Sequence, residues 1–419
     1  MGKRVFTILA FLTIFSTSYG QIRVFNRYFP ADNTGTIKKY QVSAYYSENS
    51  NSNSFTNEFY SSFNKSEFIS DDLKNRQIKN LKSPVLTGDI RNIGFDAFIS
   101  SSKDKELYYY LGIEHQFMLD VSLDEDIIKL ILLGNKPFSG QTLYAPGSKY
   151  YSIYFNQMKA GMGKRIEKNG GIHHITGDIA LNFGQNYNEF NINNSSLYTD
   201  DDGEYLDISA GFDTRVSDTV WAEWYQMKGI GASLDFEYDF DKPGSFHFDV
   251  ALKNIGFISW TDNSFTGNTD TSFVFTGFEF DTTNSGTGND FSANSIRDIL
   301  FSDINSGNFT AFLPLRLTFS VGKYFSSGKG YAGIRGNIYP TLNAIFHLEA
   351  FATYNINNLI QLSPVIAYSS YKKVNFGLFM GVSVGRNFNI QIGSAYLNSL
   401  FGNDSLLGKG GFIRLSYSY

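Results

Sequence analysis

The chain has 419 residues, a formal net charge of −5 and no cysteine. The lack of cysteine excludes disulfides, thiolate nucleophiles and cysteine zinc sites, and the mildly acidic balance argues against a nucleic-acid partner. Aromatic residues make up 17% of the chain, and glycine (39) far outnumbers proline (8), a composition typical of long β-strands.

The start of the chain differs from the rest. Lys3 and Arg4 precede an apolar run (5–15) and a small, polar segment (16–20). This order is typical of a cleavable signal peptide and would leave Gln21 as the first mature residue. A membrane anchor is the alternative, but the apolar run is short for a bilayer.

From about residue 90 onward, apolar residues alternate with polar or small ones. Phe246, Phe248 and Val250, for example, alternate with His247 and Asp249. Period-two runs of about ten to fifteen residues predict half-buried β-strands. The predicted strands, about fourteen in number, are 90–100, 106–118, 150–162, 172–184, 204–215, 229–241, 245–258, 311–325, 330–340, 343–355, 358–371, 373–386, 389–398 and 410–419. Runs at 40–47 and 270–280 could raise the count to about sixteen.

The alternation does not by itself show which face of each strand contacts water, so a soluble β-sandwich is the alternative to a membrane barrel. The strands are longer than the five or six residues usual in soluble proteins, and a tilted membrane strand needs about nine to eleven. The polar face is often Gly, Ser, Asn or Thr. The last strand, 410–419, is amphipathic and ends in Tyr419, as a signal for the barrel insertion machinery does. We therefore predict an all-β, transmembrane antiparallel barrel of about fourteen strands, within about twelve to sixteen.

Two segments have helical spacing instead. Ser122–Gly134 has a capping box formed by Ser122 and Glu125, an apolar face and a terminal glycine. Ser295–Ile304 has apolar residues at helical spacing. Both could plug the lumen, line its rim or cover apolar surface in loops. The stretches 48–66 and 261–295 are predicted to be long loops. The expected organisation is a signal peptide (1–20), an N-terminal segment that is partly strand or loop (21–84), and the outer-membrane barrel (85–419).

The stretch GASLDFEYDFD (231–241) carries an acidic residue at every second position. Asp235, Glu237 and Asp239 share one face and could suggest a metal site. Neighbours on that face lie about 7 Å apart, too far for all three to ligate one ion without other partners. We therefore assign these carboxylates to the lumen and the apolar residues between them to the lipid.

A three-residue loop, Pro243–Ser245, would match the apolar faces of strands 229–241 and 245–258. In this register Asp239 would face Asp249. These two like charges would need a further partner, for which we expect an arginine across the lumen. The pairs expected to face each other are Asp241 with His247, Asp239 with Asp249, and Asp235 with Lys253.

The same alternation predicts which charged side chains face the lumen. These candidates are Asp235, Glu237, Asp239, His247, Lys253, Arg316, His347, Glu349 and Arg414. The acidic segment Asp200–Asp207 lacks the spacing of an EF-hand, and the chain has no H-E-x-x-H or G-x-S-x-G motif. We name no catalytic, cofactor or metal residue and expect no enzymatic activity.

Four blocks carry a family resemblance: LLGNKPFSGQTL (132–143), SLYTDDDGEYLD (196–207), KNIGFISW (253–260) and SLLGKGGFIRLSYSY (405–419). They resemble blocks of a Bacteroidota outer-membrane β-barrel family of unknown function. The resemblance covers roughly residues 85–419 and implies an integral outer-membrane barrel, without a substrate or functional residues to transfer. The chain is more distantly similar to fatty-acid-transporter barrels and to accessory barrels of the gliding-associated secretion system, an analogy of fold alone.

Two functions are compatible with these predictions. One is passage of small or hydrophobic solutes through the lumen. The other is a structural or docking barrel for a surface or secretion-system partner. In both cases we expect outer-membrane lipid and the barrel insertion machinery as partners, the cell outer membrane as location, and neither cofactor nor nucleic acid.

Overall fold

The structure is a computed structural model that describes residues 39–101, 106–218, 226–242, 244–261, 263–276, 304–326, 330–341, 343–356, 359–371, 373–385, 387–401 and 406–419. The predicted signal peptide (1–20) lies outside these residues. So does the predicted helix Ser295–Ile304, except for Ile304, which begins a short strand.

The described residues form a closed antiparallel barrel of fourteen strands, so the predicted fold class is confirmed. The ring consists of β1 (Tyr40–Thr56), β2 (Val85–Ser100), β3 (Leu107–Leu123), β5 (Ser148–Lys168), β6 (Gly171–Ile192), β9 (Gly229–Lys242), β10 (Phe246–Trp260), β14 (Arg316–Phe325), β15 (Gly330–Tyr339), β16 (Ile345–Asn355), β17 (Ile360–Ser369), β18 (Val374–Val384), β19 (Phe388–Ser394) and β20 (Leu406–Ser418).

Each ring strand pairs with the ring strands before and after it, and β1 closes the ring by pairing with both β2 and β20. At one end, which we call the turn end, connections are short. Asn169 (φ 53°) and Gly170 (φ 71°) join β5 to β6 there in the left-handed conformation that two-residue hairpins favour. Tyr40 and Tyr419 exchange two backbone hydrogen bonds at the same end (3.0 and 2.9 Å). The opposite end, the loop end, carries the longer connections.

Six further strands lie in the connections: β4 (Thr142–Tyr144), β7 (Ser196–Thr199), β8 (Leu206–Val216), β11 (Phe265–Phe275), β12 (Ile304–Ser306) and β13 (Phe309–Phe312). β6 runs past the start of β9 and pairs there with β8, which in turn pairs with β11. The predicted strand 204–215 therefore belongs to an extension of the sheet at the loop end and not to the ring.

Strand β1, for which the sequence indicated only a possible extra run at 40–47, is the fourteenth strand of the ring in place of 204–215. The prediction that 48–66 is a loop was wrong, because β1 continues to Thr56, and the barrel begins at Tyr40, before the predicted boundary at residue 85. The alternation of β1 is weak in sequence since helix α1 (Asn57–Asn64), and not lipid, covers its loop-end half. Tyr60 of α1 donates a hydrogen bond to Asp89 of β2 (3.0 Å), and Ser50 and Ser52 are fully buried.

Three short helices lie at the loop end: α1, α2 (Asp71–Lys79) and α3 (Glu125–Leu133). The helix predicted at Ser122–Gly134 is confirmed as α3, but its N-cap is Asp124 and not Ser122, because β3 extends to Leu123. The helices share an apolar cluster, which we call the cap: Phe59, Leu73, Val85, Ile128 and Leu132. α3 thus covers apolar surface at the rim. None of the described helices has the length and apolar character needed to cross a bilayer.

The barrel wall has its apolar side outside and its polar side inside. On β9, Phe236 is 59% exposed while the neighbouring Asp235 is 3% exposed. The same contrast recurs around the ring, for example between exposed Leu348 and buried Glu349. A soluble sandwich would bury the apolar face, whereas a membrane barrel turns it to lipid. The predicted assignment of Leu234, Phe236 and the other apolar residues of β9 to the outer face agrees with this pattern.

Candidate functional site in the barrel lumen

The predicted lumen residues all lie on the inner face of the ring. Asp235, Glu237, Asp239, His247, Lys253, His347, Glu349 and Arg414 are buried, and Arg316 is partly exposed. All of them except Arg316 are distributed over four groups of ion pairs and hydrogen bonds, and residues that sequence reasoning did not single out complete three of these groups.

The β9–β10 hairpin places the acidic residues. The predicted register is observed from the turn, where Lys242 lies opposite Phe246, as far as Phe236 opposite Leu252. There the register shifts by one residue, so that Leu234 lies opposite Ile255. The predicted one-to-one pairing of Asp235 with Lys253 is therefore not observed, because Asp235 lies opposite both Lys253 and Asn254.

A β-bulge causes the shift. Asn254 adopts a left-handed conformation (φ 62°), and both Lys253 and Asn254 point inward and are buried. The backbone N–H of Asn254 donates to the Asp235 carboxylate (2.7 Å). An extra residue in one strand locally breaks the ladder and redirects a side chain, which here adds an amide to the lumen and keeps the apolar residues beyond it on the lipid face.

The first charged group lies midway along the wall that β3, β5, β6 and β9 form. The ammonium of Lys159 lies between Glu114 (2.8 Å) and Asp235 (2.9 Å), and Lys253 lies 3.9 Å from Glu237. Lys159 and Glu114 were not among the predicted residues, although both stand at inward positions of predicted strands. These lysines balance carboxylates that would otherwise be buried without a counter-charge.

Nearer the turn end, Asp239 and Asp249 face each other as predicted. The partner expected for this like-charged pair was an arginine across the lumen. The structure instead places the His247 imidazole 3.4 Å from Asp239 and 3.3 Å from Asp249. Histidine fits because its own position on β10 faces inward between the two carboxylates.

Two further groups lie on the other side of the lumen. Glu349 receives the guanidinium of Arg335 (2.5 Å) and the imidazole of His347 (2.8 Å). Arg414 pairs with Asp96 at 3.1 Å, and Tyr110 donates to the same carboxylate (2.8 Å). Arg335 and Asp96 were missed by the sequence reasoning. Strand pairing explains Arg335, since it lies directly opposite Glu349.

Side chains from strands that are not neighbours meet inside the lumen. Asn254 of β10 donates to Gln116 of β3 (3.0 Å), although these strands are not neighbours in the ring. Closer to the loop end, Asn343 donates a backbone hydrogen bond to Asp120 (3.2 Å). These contacts show that the described lumen is narrowed by side chains from both sides.

An apolar cluster, which we call the loop-end core, lies inside the barrel on the loop-end side of this level. It consists of Ile90, Met118, Tyr151, Ile153, Phe155, Tyr187, Ile258, Trp260, Ala311, Leu313, Tyr339, Ile345 and Tyr371. The loop-end core therefore places apolar and aromatic side chains inside the described part of the barrel.

A cavity of about 100 Å³ remains on the turn-end side of the loop-end core. Its charged lining residues are Asp96, Glu114, Asp249, Lys253, Arg316, Arg335 and Arg414. The volume admits a few water molecules or a small polar group. Among the residues that the structure describes, no three or more His, Asp or Glu side chains are arranged to hold a metal ion.

Comparisons with solved structures return other barrels. The chain is similar to the TodX deltaS2S3 mutant monoaromatic hydrocarbon channel, with a TM-score of 0.43 and 7% identity over 96% of this chain and 95% of that one. It is similar to a Pseudomonas aeruginosa FadL homologue, with a TM-score of 0.40 and 8% identity over 91% and 89% of the two chains. For the siderophore receptor PirA from Acinetobacter baumannii the TM-score is 0.24, with 8% identity over 92% and 81%. Because the identities and TM-scores are this low, the functions of these proteins are not assigned to this chain.

No curated protein matches the chain by sequence. The sequence profile of a family of unknown function (DUF5723) matches residues 33–394, and the chain therefore belongs to that family.

Proposed function

We propose that the protein is a closed outer-membrane barrel that serves as a docking base for a surface or secretion-system protein. The observation that carries this proposal is the loop-end core, a buried cluster of inward-facing side chains on the loop-end side of the charged groups. A barrel whose interior is occupied by its own side chains is suited to anchoring rather than to free diffusion through its axis.

The cap supports the docking half of the proposal. Phe68 is 88% exposed and Ile131 of α3 is 65% exposed, and both stand at the loop end. Exposed apolar surface with a polar rim is typical of protein interaction sites, and we propose that these two side chains belong to such a site.

Single-channel recording of the mature chain in a planar bilayer tests the closed lumen. We expect no steady conductance, since ions would have to cross the loop-end core. A stable open state in the wild-type barrel would refute the closed-barrel proposal. The folded state of each sample is verified by the altered mobility of the unheated barrel in detergent gels.

Photo-crosslinking in cells tests docking. A benzoylphenylalanine at position 68 is expected to give a discrete protein adduct, because the side chain projects from the cap. The same group at position 236 is the matched control, since Phe236 faces lipid at mid-strand. Assembly of the position-68 variant without any protein adduct would contradict the docking role.

Passage of small solutes is the second candidate, and the polar cavity favours it. Its lining carries both signs of charge, which suits small polar solutes better than hydrophobic ones. Passage would require the loop-end core to open. Liposome swelling with small polar solutes, compared with apolar ones, distinguishes this function from docking.

We also propose that the chain is exported by the cleavable peptide 1–20, inserted by the barrel machinery through β20, and not an enzyme. β20 has the required alternation, with exposed Leu415 and Tyr417 on the lipid face and Arg414 on the inner face. Membrane fractionation with N-terminal sequencing tests this, and we expect a detergent-dependent protein that begins at Gln21.

A further inference from the structure

We infer that a depression on the lipid-facing side of the barrel wall binds an acyl chain of a bilayer lipid at a fixed position. The depression, which we call the outer groove, has a volume of about 690 Å³ and lies across β3, β5, β6, β9 and β10. This inference does not depend on whether the barrel docks a partner or passes a solute, because it concerns only the outside of the wall.

The first observation is the size and chemistry of the outer groove. Its volume lies within the range of about 300–1,000 Å³ that is usual for ligand pockets in proteins. The outward-facing side chains that line it are all apolar, and among them are Met158, Leu181, Leu234, Ile255 and Phe257. The outer groove therefore suits a hydrocarbon ligand and offers no outward-facing polar side chain to a charged one.

The second observation is that small residues stand beside large ones on this face. Ala232 of β9 lies opposite Leu181 of β6 on one side and Phe257 of β10 on the other. Ala160 of β5 lies opposite Ile179 of β6. Opposed residues on one face of a sheet stand close together, so a methyl group beside long side chains leaves a gap in the apolar surface. The gaps at the two alanines lie within the outer groove.

The third observation concerns the floor of the outer groove, which Lys159 and Ser233 also line. The Lys159 ammonium donates to Asp235 inside the barrel (2.9 Å). The Ser233 hydroxyl donates to Asn182, also inside (3.3 Å). Only the main chain of Lys159 and Ser233 therefore reaches the outer side. Each has a ladder partner on both neighbouring strands, so a hydrocarbon chain can cover this backbone without leaving a polar group unpaired.

The surroundings of the outer groove select its occupant. Leu234, which lines the groove, is two residues from Phe236 on the exposed apolar face of β9, so the groove is continuous with the surface that faces lipid. An acyl chain that fills the gaps gains close contacts that a chain lying over protruding side chains lacks. A second barrel or a partner protein would have to displace lipid that is as apolar as itself, which removes the hydrophobic gain of such a contact.

Retention of lipid tests the inference on the mature chain, folded in vesicles that contain phosphatidylethanolamine and then extracted into mild detergent. Native mass spectrometry counts the lipid molecules that remain on each folded chain. We expect the wild-type chain to keep bound lipid after exchange into fresh detergent, because an acyl chain seated in the outer groove leaves more slowly than one on the rest of the wall. The gel mobility of the unheated sample verifies that each barrel is folded.

Ala232→Leu is the diagnostic variant, because the longer side chain fills the gap between Leu181 and Phe257. Position 232 is exposed on the apolar face, so the barrel is expected to fold, and we expect the retained lipid to be lost. Ala352→Leu is the matched control. It adds the same side chain at an exposed position of β16 that does not line the outer groove, and it should retain lipid as the wild type does.

A crystal of the wild-type chain grown with phosphatidylethanolamine whose acyl chains carry bromine shows the position of the lipid directly. We expect an anomalous peak next to Ala232. Three results would each overturn the inference: equal lipid retention by the wild type, Ala232→Leu and Ala352→Leu; bromine peaks spread evenly around the wall; or a second barrel or another protein seated in the outer groove.

Discussion

The orientation of the wall is tested most directly by two adjacent residues of β9. Phe236 is 59% exposed on the apolar face, whereas Glu237 is 6% exposed on the inner face. Position 236 lies near the centre of Gly229–Lys242. An arginine on the lipid face at the bilayer midplane costs about 2–4 kcal/mol, which corresponds to a loss of about one and a half to three orders of magnitude in the folding equilibrium constant.

Glu237→Gln is the matched comparison because it removes a charge one residue away from the same position in the membrane. Its contact with Lys253, at 3.9 Å, is longer than a hydrogen bond, and the amide keeps a polar group in the lumen. We therefore expect the barrel to insert and fold with Glu237→Gln, at a smaller cost than with Phe236→Arg.

The assay is reversible urea unfolding of the mature chain in lipid vesicles, followed by tryptophan fluorescence and gel mobility. Phe236→Arg should lower the free energy of unfolding by about 2–4 kcal/mol, or prevent insertion altogether. If Glu237→Gln were as damaging as Phe236→Arg, the assignment of the two faces would be wrong.

Three further predictions concern the interior. Lys159→Met should cost about 3–5 kcal/mol in the same unfolding assay, because it leaves Glu114 and Asp235 buried without their shared cation; adding Glu114→Gln should restore part of the loss, and a double variant no more stable than the single one would contradict the pairing. Asn254→Val should lower the free energy of unfolding by about 1–3 kcal/mol more than Asn254→Gly does. Both variants lose the same amide, but a branched side chain is strained at the φ of 62° that position 254 adopts. Equal stabilities of the two variants would mean that a branched side chain does not strain the bulge. Trp260→Ala should cost about 3–5 kcal/mol, since the ring is fully buried in the loop-end core, whereas Phe257→Ala on the lipid face of the same strand should cost clearly less; the reverse order would place the core outside the barrel.

Most of the ring could be predicted because apolar and polar residues alternate along nearly all of its strands. Where lipid covers the outside, as along β9, an apolar residue is needed at every second position, and the alternation in sequence is unbroken. β1 departs from this rule at Ser50 and Ser52, which are buried under α1 and so need not be apolar. β8 shows the opposite case: its sequence alternates, yet it lies outside the ring, where it pairs with β11. Alternation reports a two-sided strand, and it does not report which sheet the strand joins.

The lumen could be predicted only in part, for a different physical reason. Because every second residue of a strand faces the same side, the alternation places Asp235 and Glu349 on the inner face. The hairpin geometry brings Asp239 opposite Asp249. Charge balance across non-neighbouring strands follows no local pattern, so the bridging of Asp235 by Lys159 could not be derived from either strand alone.

The bulge at Asn254 shows how much one residue changes. By turning two consecutive side chains inward, it allows Asn254 to reach Gln116 on the non-adjacent strand β3 and leaves Ile255 on the lipid face. An uninterrupted β10 would place Asn254 in the membrane, where an amide without a partner is costly. The polar contact between the walls therefore depends on a local backbone conformation, and the Asn254→Gly and Asn254→Val pair tests that conformation separately from the amide it carries.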